Sequence, residues 1–176
     1  MRDRPDVRRL EPQDAAALMS LRREALEAHP LAFAASVEDD VGLSPEFVRR
    51  SLADTEAGVV FGHFDGDELT GMVGLVRLSK LKQRHAGMLW GMYVSARARR
   101  RGAGRALLDA AIGQAREWGL EQVQLGVTEA APEARRLYES AGFRPWGHQP
   151  RALGWGGRFV DEDHMVLALR QPGDQT

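Results

Sequence analysis

A hexapeptide rich in arginine and glycine, RRRGAG at 99–104, carries the clearest chemical signal in this sequence. A run with helical spacing of apolar residues follows it, which places Gly102 and Gly104 at the start of a helix. The first turn of a helix has backbone N–H groups without intrahelical acceptors and about half a unit of positive charge. Glycines there let a phosphate approach the backbone closely, and the arginines add charge. The stretch predicts a di- or polyphosphate site, and a solvated basic turn is the competing interpretation.

Two common nucleotide-binding motifs do not fit this stretch. A Walker loop requires lysine after its last glycine, whereas Gly104 is followed by Arg105. A dinucleotide fingerprint requires a third glycine where Leu107 stands. In that fingerprint the first glycine follows its strand in a tight turn, whereas seven residues separate Val94 from Gly102 in this chain.

Metal and thiol chemistry find no support in the sequence. The chain has no cysteine, which excludes disulfides, thiolate ligands and cysteine nucleophiles. His63 lies near Asp65 and His164 lies near Asp161, but neither histidine has a second histidine at ligand spacing. We therefore predict no metal site.

The composition is that of one soluble globular domain. The 176 residues are 43% hydrophobic and 28% charged, and we predict a single domain over 1–170 with a disordered tail at 171–176. The net charge of −1 gives no reason to expect nucleic acid or an acidic membrane surface as a partner. The N-terminal residues lack the apolar segment of a signal peptide, and no apolar run is long enough to span a bilayer. We expect a cytoplasmic protein.

The pattern of apolar and turn residues predicts the element order β-α-α-β-β-β-α-β-α-β-β. The clearest part is a hairpin over 58–78, with a two-residue turn at Asp65-Gly66. The run GMLWGMYV at 87–94 is short enough for a buried strand, and the helix of the opening stretch comes next. Strand-helix-strand units in the middle of the chain imply a partly parallel pair inside a mixed sheet that helices cover.

Two motifs at a characteristic separation resemble those of the GNAT superfamily of acyl-CoA-dependent N-acyltransferases. Arg99-x-x-Gly102-x-Gly104 is similar to the family's pyrophosphate loop, in which Gln or Arg precedes two small residues. Downstream, LYESAGF at 137–143 resembles the family's L-Y-x-x-x-G-F segment, and LWGMYV at 89–94 looks like the family's fourth strand. The resemblance covers roughly residues 5–170.

The resemblance implies a fold and a cosubstrate. The fold is α/β (α+β): a mixed, mostly antiparallel sheet with a splayed parallel pair, the fourth and fifth strands, and about four flanking helices. The cosubstrate is acetyl-CoA, whose pantetheine arm would pair with the backbone of the fourth strand and whose pyrophosphate would lie on the loop. The side chains of Arg99 and Arg100 would face the phosphates. The implied cofactor-binding residues are Met92, Tyr93, Val94, Arg99, Arg100, Arg101, Gly102, Ala103, Gly104, Arg105, Ala131 and Tyr138.

The resemblance also assigns two catalytic groups. The Met92 N–H is the candidate donor to the oxyanion that forms during acyl transfer. Tyr138 matches the tyrosine that protonates the CoA sulfur in many members, and its alternative role is a packed aromatic on an amphipathic helix. Ala131 departs from the family, in which an asparagine is common. With Pro132 at the first helical position, Ala131 would be the N-cap residue, and its side chain has no acceptor for the first helical amides.

The sequence does not single out one general base. Many members carry a glutamate on or near the fourth strand, and this strand has none. The candidates are Glu24, His85, Glu162 and His164. For each of them a surface or structural role is the default interpretation, and a water chain to a backbone carbonyl would serve instead. The aromatic residues Phe33, Trp90 and Trp155 could wall an acceptor pocket, although core packing is the better default for Trp90.

The functional hypothesis is transfer of an acetyl group from acetyl-CoA to a primary amine. A non-catalytic acyl-CoA sensor or partner-binding module on the same fold is the alternative, and the missing base favours it. The acceptor, a small molecule or a peptide amine, is not identified. The segments that would shape its pocket are 29–43, 79–86 and 154–157. Family members are often dimers, so a homodimer stays open.

Overall fold

A computed structural model describes residues 6–169 of the chain. The predicted tail at 171–176 lies outside the described residues, as do both ends of the predicted 1–170 domain. The strands are β1 Asp6–Arg9, β2 Gly58–Asp65, β3 Glu68–Arg77, β4 Ala86–Val94, β5 Gln122–Thr128, β6 Arg144–Trp155 and β7 Arg158–Ala168. The α-helices are α1 Ala15–Ala28, α2 Pro45–Ala53, α3 Ala103–Glu117 and α4 Pro132–Ser140. Strands and helices follow the predicted order, which is thereby confirmed.

One seven-stranded sheet with the order β1-β2-β3-β4-β5-β7-β6 forms the centre of the fold. Every neighbouring pair is antiparallel except β4 and β5, which are parallel. This confirms the predicted mixed sheet with one parallel pair. The helices divide between the two faces, because α1 and α2 share one buried apolar cluster and α3 and α4 share the other.

The parallel pair separates soon after it begins. Strands β4 and β5 pair only where Ala86–Met88 meet Gln122–Gln124. Beyond that point β4 stays paired with β3 up to Val94, and β5 stays paired with β7 up to Thr128. A V-shaped cleft therefore opens in the middle of the sheet, with one edge of each strand left without a strand neighbour.

A bulge in β4 lies beside this cleft. Trp90 is opposite Gly74 and Tyr93 is opposite Met72, so two residues of β4 oppose one residue of β3. Gly91 is one of the two, and its φ of +64° is a left-handed conformation that glycine adopts without strain. The glycine in the middle of this strand thus fixes the position of the bulge.

The predicted hairpin is present, but its turn is one residue further along the chain. Asp65 and Glu68 pair with each other, so the turn residues are Gly66 and Asp67 and the predicted Asp65-Gly66 turn is wrong. Gly66 has a φ of +61°. The type II′ hairpin turn has glycine as its first central residue, and Gly66 occupies that position here.

The start of α4 lacks a side-chain cap, as the sequence predicts. Ala131 is the N-cap residue with no side-chain acceptor for the first helical amides, whereas Ser44 accepts from the Phe47 amide at the start of α2. Ala131→Asn should supply that acceptor and raise the free energy of unfolding by about 1 kcal/mol. The midpoint of thermal unfolding should rise by about 2–4 °C for a domain of this size. Calorimetry of both proteins measures this, and an unchanged or lower midpoint would contradict it.

Candidate active site

Several backbone groups on the unpaired edge of β4 face the cleft. The Ser95 amide donates to the Thr70 carbonyl of β3 at 2.8 Å, so Ser95 faces β3. Backbone direction alternates along a strand, so Val94 faces away from β3. The bulge residues Gly91 and Met92 together stand opposite the single residue Val73, and neither has a partner in β3, so their backbone groups are open to the cleft. The structure thus places the backbone of Met92 and Val94 at the cleft and adds Gly91, which the sequence did not single out.

The loop after β4 presents free amides at the start of α3. The first helical hydrogen bond runs from the Ala106 amide to the Gly102 carbonyl, and no side chain caps this helix. The amides of Ala103, Gly104 and Arg105 therefore have no acceptor within the helix. These are the groups that the sequence assigns to a pyrophosphate.

The two glycines of this loop differ in their surroundings. Gly102 has a φ of +86°, and a Cβ there would meet nothing within 4 Å, so an anion can approach its backbone. A Cβ on Gly104 would instead lie 3.3 Å from a methyl group of Leu137 on α4. Gly102 therefore meets the requirement for close approach, whereas Gly104 lets α3 and α4 pack together.

The side chain of Arg99 does not face the loop's open side. Its Nε donates to the Val94 carbonyl at 2.9 Å, and its terminal nitrogen lies 2.9 Å from Nε2 of His29. This differs from the expectation for the Arg99 side chain, and the reason is that the unpaired edge of β4 leaves the Val94 carbonyl in need of a donor. Arg101 lies 3.5 Å from Asp65, and Arg105 pairs with Asp109 of its own helix. Carboxylates thus already neutralise part of the loop's charge, which leaves the backbone amides as its main anion-binding groups.

Tyr138 lies in the core on the α4 side of the sheet. The residue is 6% exposed, and its ring centroid is 5.8 Å from that of Phe143. Its hydroxyl makes no hydrogen bond to any described residue, and burial raises its pKa. Tyr138 is therefore a packed aromatic, which is one of the two roles that the sequence predicts. Its protonated hydroxyl has no acceptor among residues 6–169.

The opposite face of the sheet holds three of the four candidate bases. Glu24 on α1 accepts a hydrogen bond from the Tyr93 hydroxyl at 2.9 Å. Glu162 on β7 reaches over β5, because its carboxylate fills the space that a Cβ on Gly126 would need. His164 lies beside it, with 3.9 Å between its Nε2 and Oε2 of Glu162.

The carboxylate of Glu162 lies over β5 near the cleft. Gly126 lies beyond the last residue of β5 that pairs with β4, so the carboxylate over it borders the open part of the sheet. His85 lies at the opposite end, where its carbonyl accepts from the Glu121 amide in the closed part of the β4–β5 pair. The structure therefore separates His85 from the other three candidates.

A cavity of about 450 Å³ lies between two of the three segments expected to shape an acceptor pocket. Residues 30–39 form one wall and residues 152–155 form the other, with Phe33 and Trp155 in the lining. The third segment, 79–86, is not part of it. Ser79 and Arg84 instead line a separate cavity of about 560 Å³ with Trp118.

Two residues near the cleft were missed by the sequence analysis. Arg22 on α1 is buried, its Nε donates to Asp40 at 2.6 Å, and its guanidinium lies 5.9 Å from the ring centroid of Trp90. His29 bonds to Arg99, as described above. Only the fold shows these contacts, since Arg22 sits in an ordinary LRREAL run and nothing in the run distinguishes it from Arg23.

The two tyrosines of the chain give a test of this environment. Burial, helped by the hydrogen bond to Glu24, raises the pKa of Tyr93 to about 12, and burial raises that of Tyr138 too. We expect no tyrosinate absorbance near pH 10 in the folded protein, whereas both tyrosines should titrate near pH 10 in denaturant. Above pH 10 the unfolded chain loses these protons first, so stability should fall as pH rises from about 10 to about 12. A tyrosinate step near pH 10 in folded protein would contradict the prediction, and urea midpoints across this range measure the stability.

Comparison with known proteins agrees with this geometry. Residues 18–143 match the model of the Acetyltransferase (GNAT) family. The chain belongs to this family. The predicted resemblance is thus confirmed, and so is acetyl transfer as the general activity of this GNAT protein. No sequence among the curated proteins matches it.

Several solved structures share the whole fold of this GNAT protein. An acetyltransferase of the GNAT family from Streptococcus pneumoniae is 28% identical, with a TM-score of 0.82 over 94% of this chain and 100% of that one. A putative acetyltransferase, yncA, from Salmonella typhimurium, solved with acetyl-CoA, is 21% identical, with a TM-score of 0.83 over 99% of both chains. A phosphinothricin acetyltransferase from Sinorhizobium meliloti, solved with AcCoA, is 19% identical, with a TM-score of 0.81 over 93% of this chain and 88% of that one.

Residues 6–169 of the GNAT protein show neither a cluster of metal ligands nor a membrane-spanning helix. Within residues 6–169, no three His, Asp or Glu side chains come together in a group that could hold a metal ion. No helix in the same range is both long enough and apolar enough to cross a membrane.

Proposed function

We propose that this GNAT protein is an N-acetyltransferase that moves the acetyl group of acetyl-CoA to a primary amine by direct attack on the thioester. One observation carries the proposal: the cleft edge of β4, with the backbone of Gly91, Met92 and Val94, leads along the chain to the unpaired amides at the start of α3. An acyl-pantetheine arm and a pyrophosphate are joined in the same order in acetyl-CoA. Two solved structures of the same fold contain acetyl-CoA, which supports this fit.

The cleft supplies the phosphate end of the cosubstrate with neutral donors and limited charge. The open space at Gly102 allows an anion to reach the amides of Ala103, Gly104 and Arg105. Arg100 is exposed and, among the described residues, forms no ion pair, so it can add charge at this point. We assign the pyrophosphate to this loop.

The proposed reaction needs a base on one side of the thioester and an acid on the other. The amine nitrogen attacks the thioester carbon, a C–N bond forms, and the C–S bond breaks. The Met92 amide is placed to donate to the oxyanion in between. Glu162 is placed to take the proton of the amine from the α1 side, and Tyr138 to protonate the thiolate from the α4 side. The two groups on opposite faces therefore serve the two proton transfers that the reaction requires.

The test is a direct assay of transfer. Purified protein is incubated with acetyl-CoA and a panel of small amines, amino acids and peptides, and mass spectrometry follows the N-acetyl product while a thiol reagent follows free CoA. We expect product and CoA in equal amounts with at least one amine. Binding of acetyl-CoA without any product across the panel would contradict the proposal and favour the non-catalytic acyl-CoA sensor.

Glu162→Gln and His85→Gln form a matched pair within this assay. The first should lower kcat/KM for the amine about tenfold or more without weakening acetyl-CoA binding, because it removes the proposed base. The second should leave both unchanged, since His85 lies at the closed end of the cleft. Equal effects of the two substitutions would remove Glu162 from the mechanism.

A cytoplasmic location and a homodimer stay predictions.

A further inference from the structure

Arg22 is a buried cation on the acceptor side of the sheet. It is 9% exposed, and its guanidinium carbon lies 5.4 Å from the ring centroid of Phe33 and 5.9 Å from that of Trp90. The sequence offers both aromatic residues as walls of an acceptor pocket, with core packing as the default for Trp90, and Trp90 does pack against the α1–α2 cluster. Phe33 also lines the cavity of about 450 Å³, so the arginine lies directly behind one wall of that cavity.

The partner of Arg22 occupies only part of the guanidinium. Its Nε donates to Asp40 at 2.6 Å, and Asp40 also accepts from the Gly42 amide at 3.0 Å. The two terminal nitrogens of Arg22 have no hydrogen-bond partner among residues 6–169, yet neither is sealed from solvent. A buried cation with unused donors is costly unless an acceptor completes it. Because neither terminal nitrogen is sealed from solvent, an acceptor that enters from solution can reach both.

The open end of Arg22 faces the bulge of β4. Its terminal nitrogen lies 3.3 Å from the place that a Cβ on Gly91 would take, and Gly91 precedes the proposed oxyanion donor Met92. A side chain at position 91 would crowd this nitrogen. A small anionic group bound here would therefore sit next to the thioester, and the group that a planar pair of guanidinium nitrogens fits best is a carboxylate.

We infer that Arg22 binds the carboxylate of the acceptor, and that the preferred acceptors are α-amino acids or amines with a carboxylate equally close to the nitrogen. The inference rests on the proposed N-acetyltransferase function. It also accounts for the charges around the cleft. Arg22 meets the carboxylate, and Glu24 and Glu162 on the same face meet the ammonium end. The cavity between 30–39 and 152–155 leaves room for the side chain of the amino acid.

The experiment compares acceptors with and without the carboxylate, and each kcat/KM is calculated for the unprotonated amine because the amines within a set differ in pKa. The probes are L-leucine, L-leucinamide and 3-methylbutylamine, with L-phenylalanine, its amide and phenethylamine as a second set. A charged hydrogen-bonded contact implies that kcat/KM for each free amino acid exceeds that for its decarboxylated amine by about 10- to 150-fold. Equal values within each set would overturn the inference and leave the proposed function intact. If no amine in either set or in the wider panel is acetylated, the proposed function fails first.

Variants at Arg22 test the same point on the protein. Arg22→Gln with Asp40→Asn removes both charges and leaves a neutral pair, so Asp40 is not left as a buried unpaired carboxylate. The ratio of kcat/KM between amino acid and decarboxylated amine should collapse toward one in this double variant. Arg22→Lys keeps the charge and loses the planar fork, so it should restore part of the ratio. A ratio that stays at the wild-type value in the double variant would overturn the assignment to Arg22.

Thermal midpoints and acetyl-CoA affinity show whether each variant is folded. If neither variant folds, the comparison of acceptors on the wild-type protein still decides the substrate class. A preference for carboxylates in the wild type that survives in a folded double variant would place the carboxylate site elsewhere.

Discussion

Gly102→Glu is expected to weaken acetyl-CoA binding by about 100-fold or more. The new carboxylate would stand in the open space in front of the α3 amides, where the pyrophosphate is proposed to bind, and would both block and repel it. The loss of several charge-assisted contacts to backbone amides, each worth about 1.5–3 kcal/mol, accounts for an effect of this size.

Gly119→Glu is the matched control for this substitution. Gly119 follows the other end of α3, has a φ of +72°, and also has nothing within 4 Å of a Cβ. The control therefore makes the same change of charge and imposes a similar backbone strain on the same helix. Calorimetric titration with acetyl-CoA, CoA and ATP should give wild-type affinity for Gly119→Glu and weak binding for Gly102→Glu. Equal affinities would show that the loop is only a basic turn at the start of a helix.

A substitution at Gly104 would be a poorer probe of the same site. A Cβ there would lie 3.3 Å from a methyl group of Leu137, so Leu137 would have to shift by a few tenths of an ångström, and an effect on binding could not be separated from this change in packing. The sequence motif does not distinguish the two glycines, because both lie at the start of the helix. Only the folded structure shows that Gly102 borders open space and that Gly104 lies against Leu137 of α4.

The elements that position the site could be predicted because their signals are local. Pro45 and Ser44 start α2, Gly119 and Gly142 follow helix ends with positive φ, and the alternating pattern around Gly66 makes a hairpin. The splayed parallel pair followed from the resemblance, since no pattern in 87–94 or 122–127 shows where two strands separate. The one-residue error in the hairpin turn arose because Asp-Gly and Gly-Asp both suit tight turns.

The contacts that complete the candidate site are distant in sequence and could not be predicted. Arg22 meets Asp40 across a loop, and Arg99 meets His29 over 70 positions. The direction of a side chain such as Arg99 depends on whether a nearby carbonyl lacks a partner, and that follows from the splay of the strands. Local pattern therefore predicts the framework and the loop, whereas the contacts on the α1 side of the cleft can be seen only in the folded structure.

Tyr138→Phe is expected to lower kcat by about 100-fold with little change in acetyl-CoA affinity or stability. The substitution removes only the hydroxyl. Because that hydroxyl makes no hydrogen bond to a described residue, the folded protein loses no such bond when it is removed. The hydroxyl of a tyrosine is protonated at neutral pH, which is the form that a general acid requires, and burial raises the pKa of Tyr138 further above that range. Loss of a positioned general acid typically costs about 10²–10⁴ in rate. Rates at saturating acetyl-CoA, binding by calorimetry and thermal midpoints together separate catalysis from packing.

Tyr93→Phe provides the contrasting case with the other tyrosine. Its hydroxyl donates to Glu24, so removal should lower the free energy of unfolding by about 1.5–3 kcal/mol, the usual range for a hydrogen bond to a charged group. The two variants should therefore show opposite signatures, with Tyr138→Phe stable and slow and Tyr93→Phe destabilised. If Tyr138→Phe retains the wild-type kcat, the tyrosine is a packed aromatic, and the thiolate must leave unprotonated or take its proton from water. The acid would then be absent from the α4 side of the cleft, and the oxyanion contact at Met92 and the base at Glu162 would have to account for the rate.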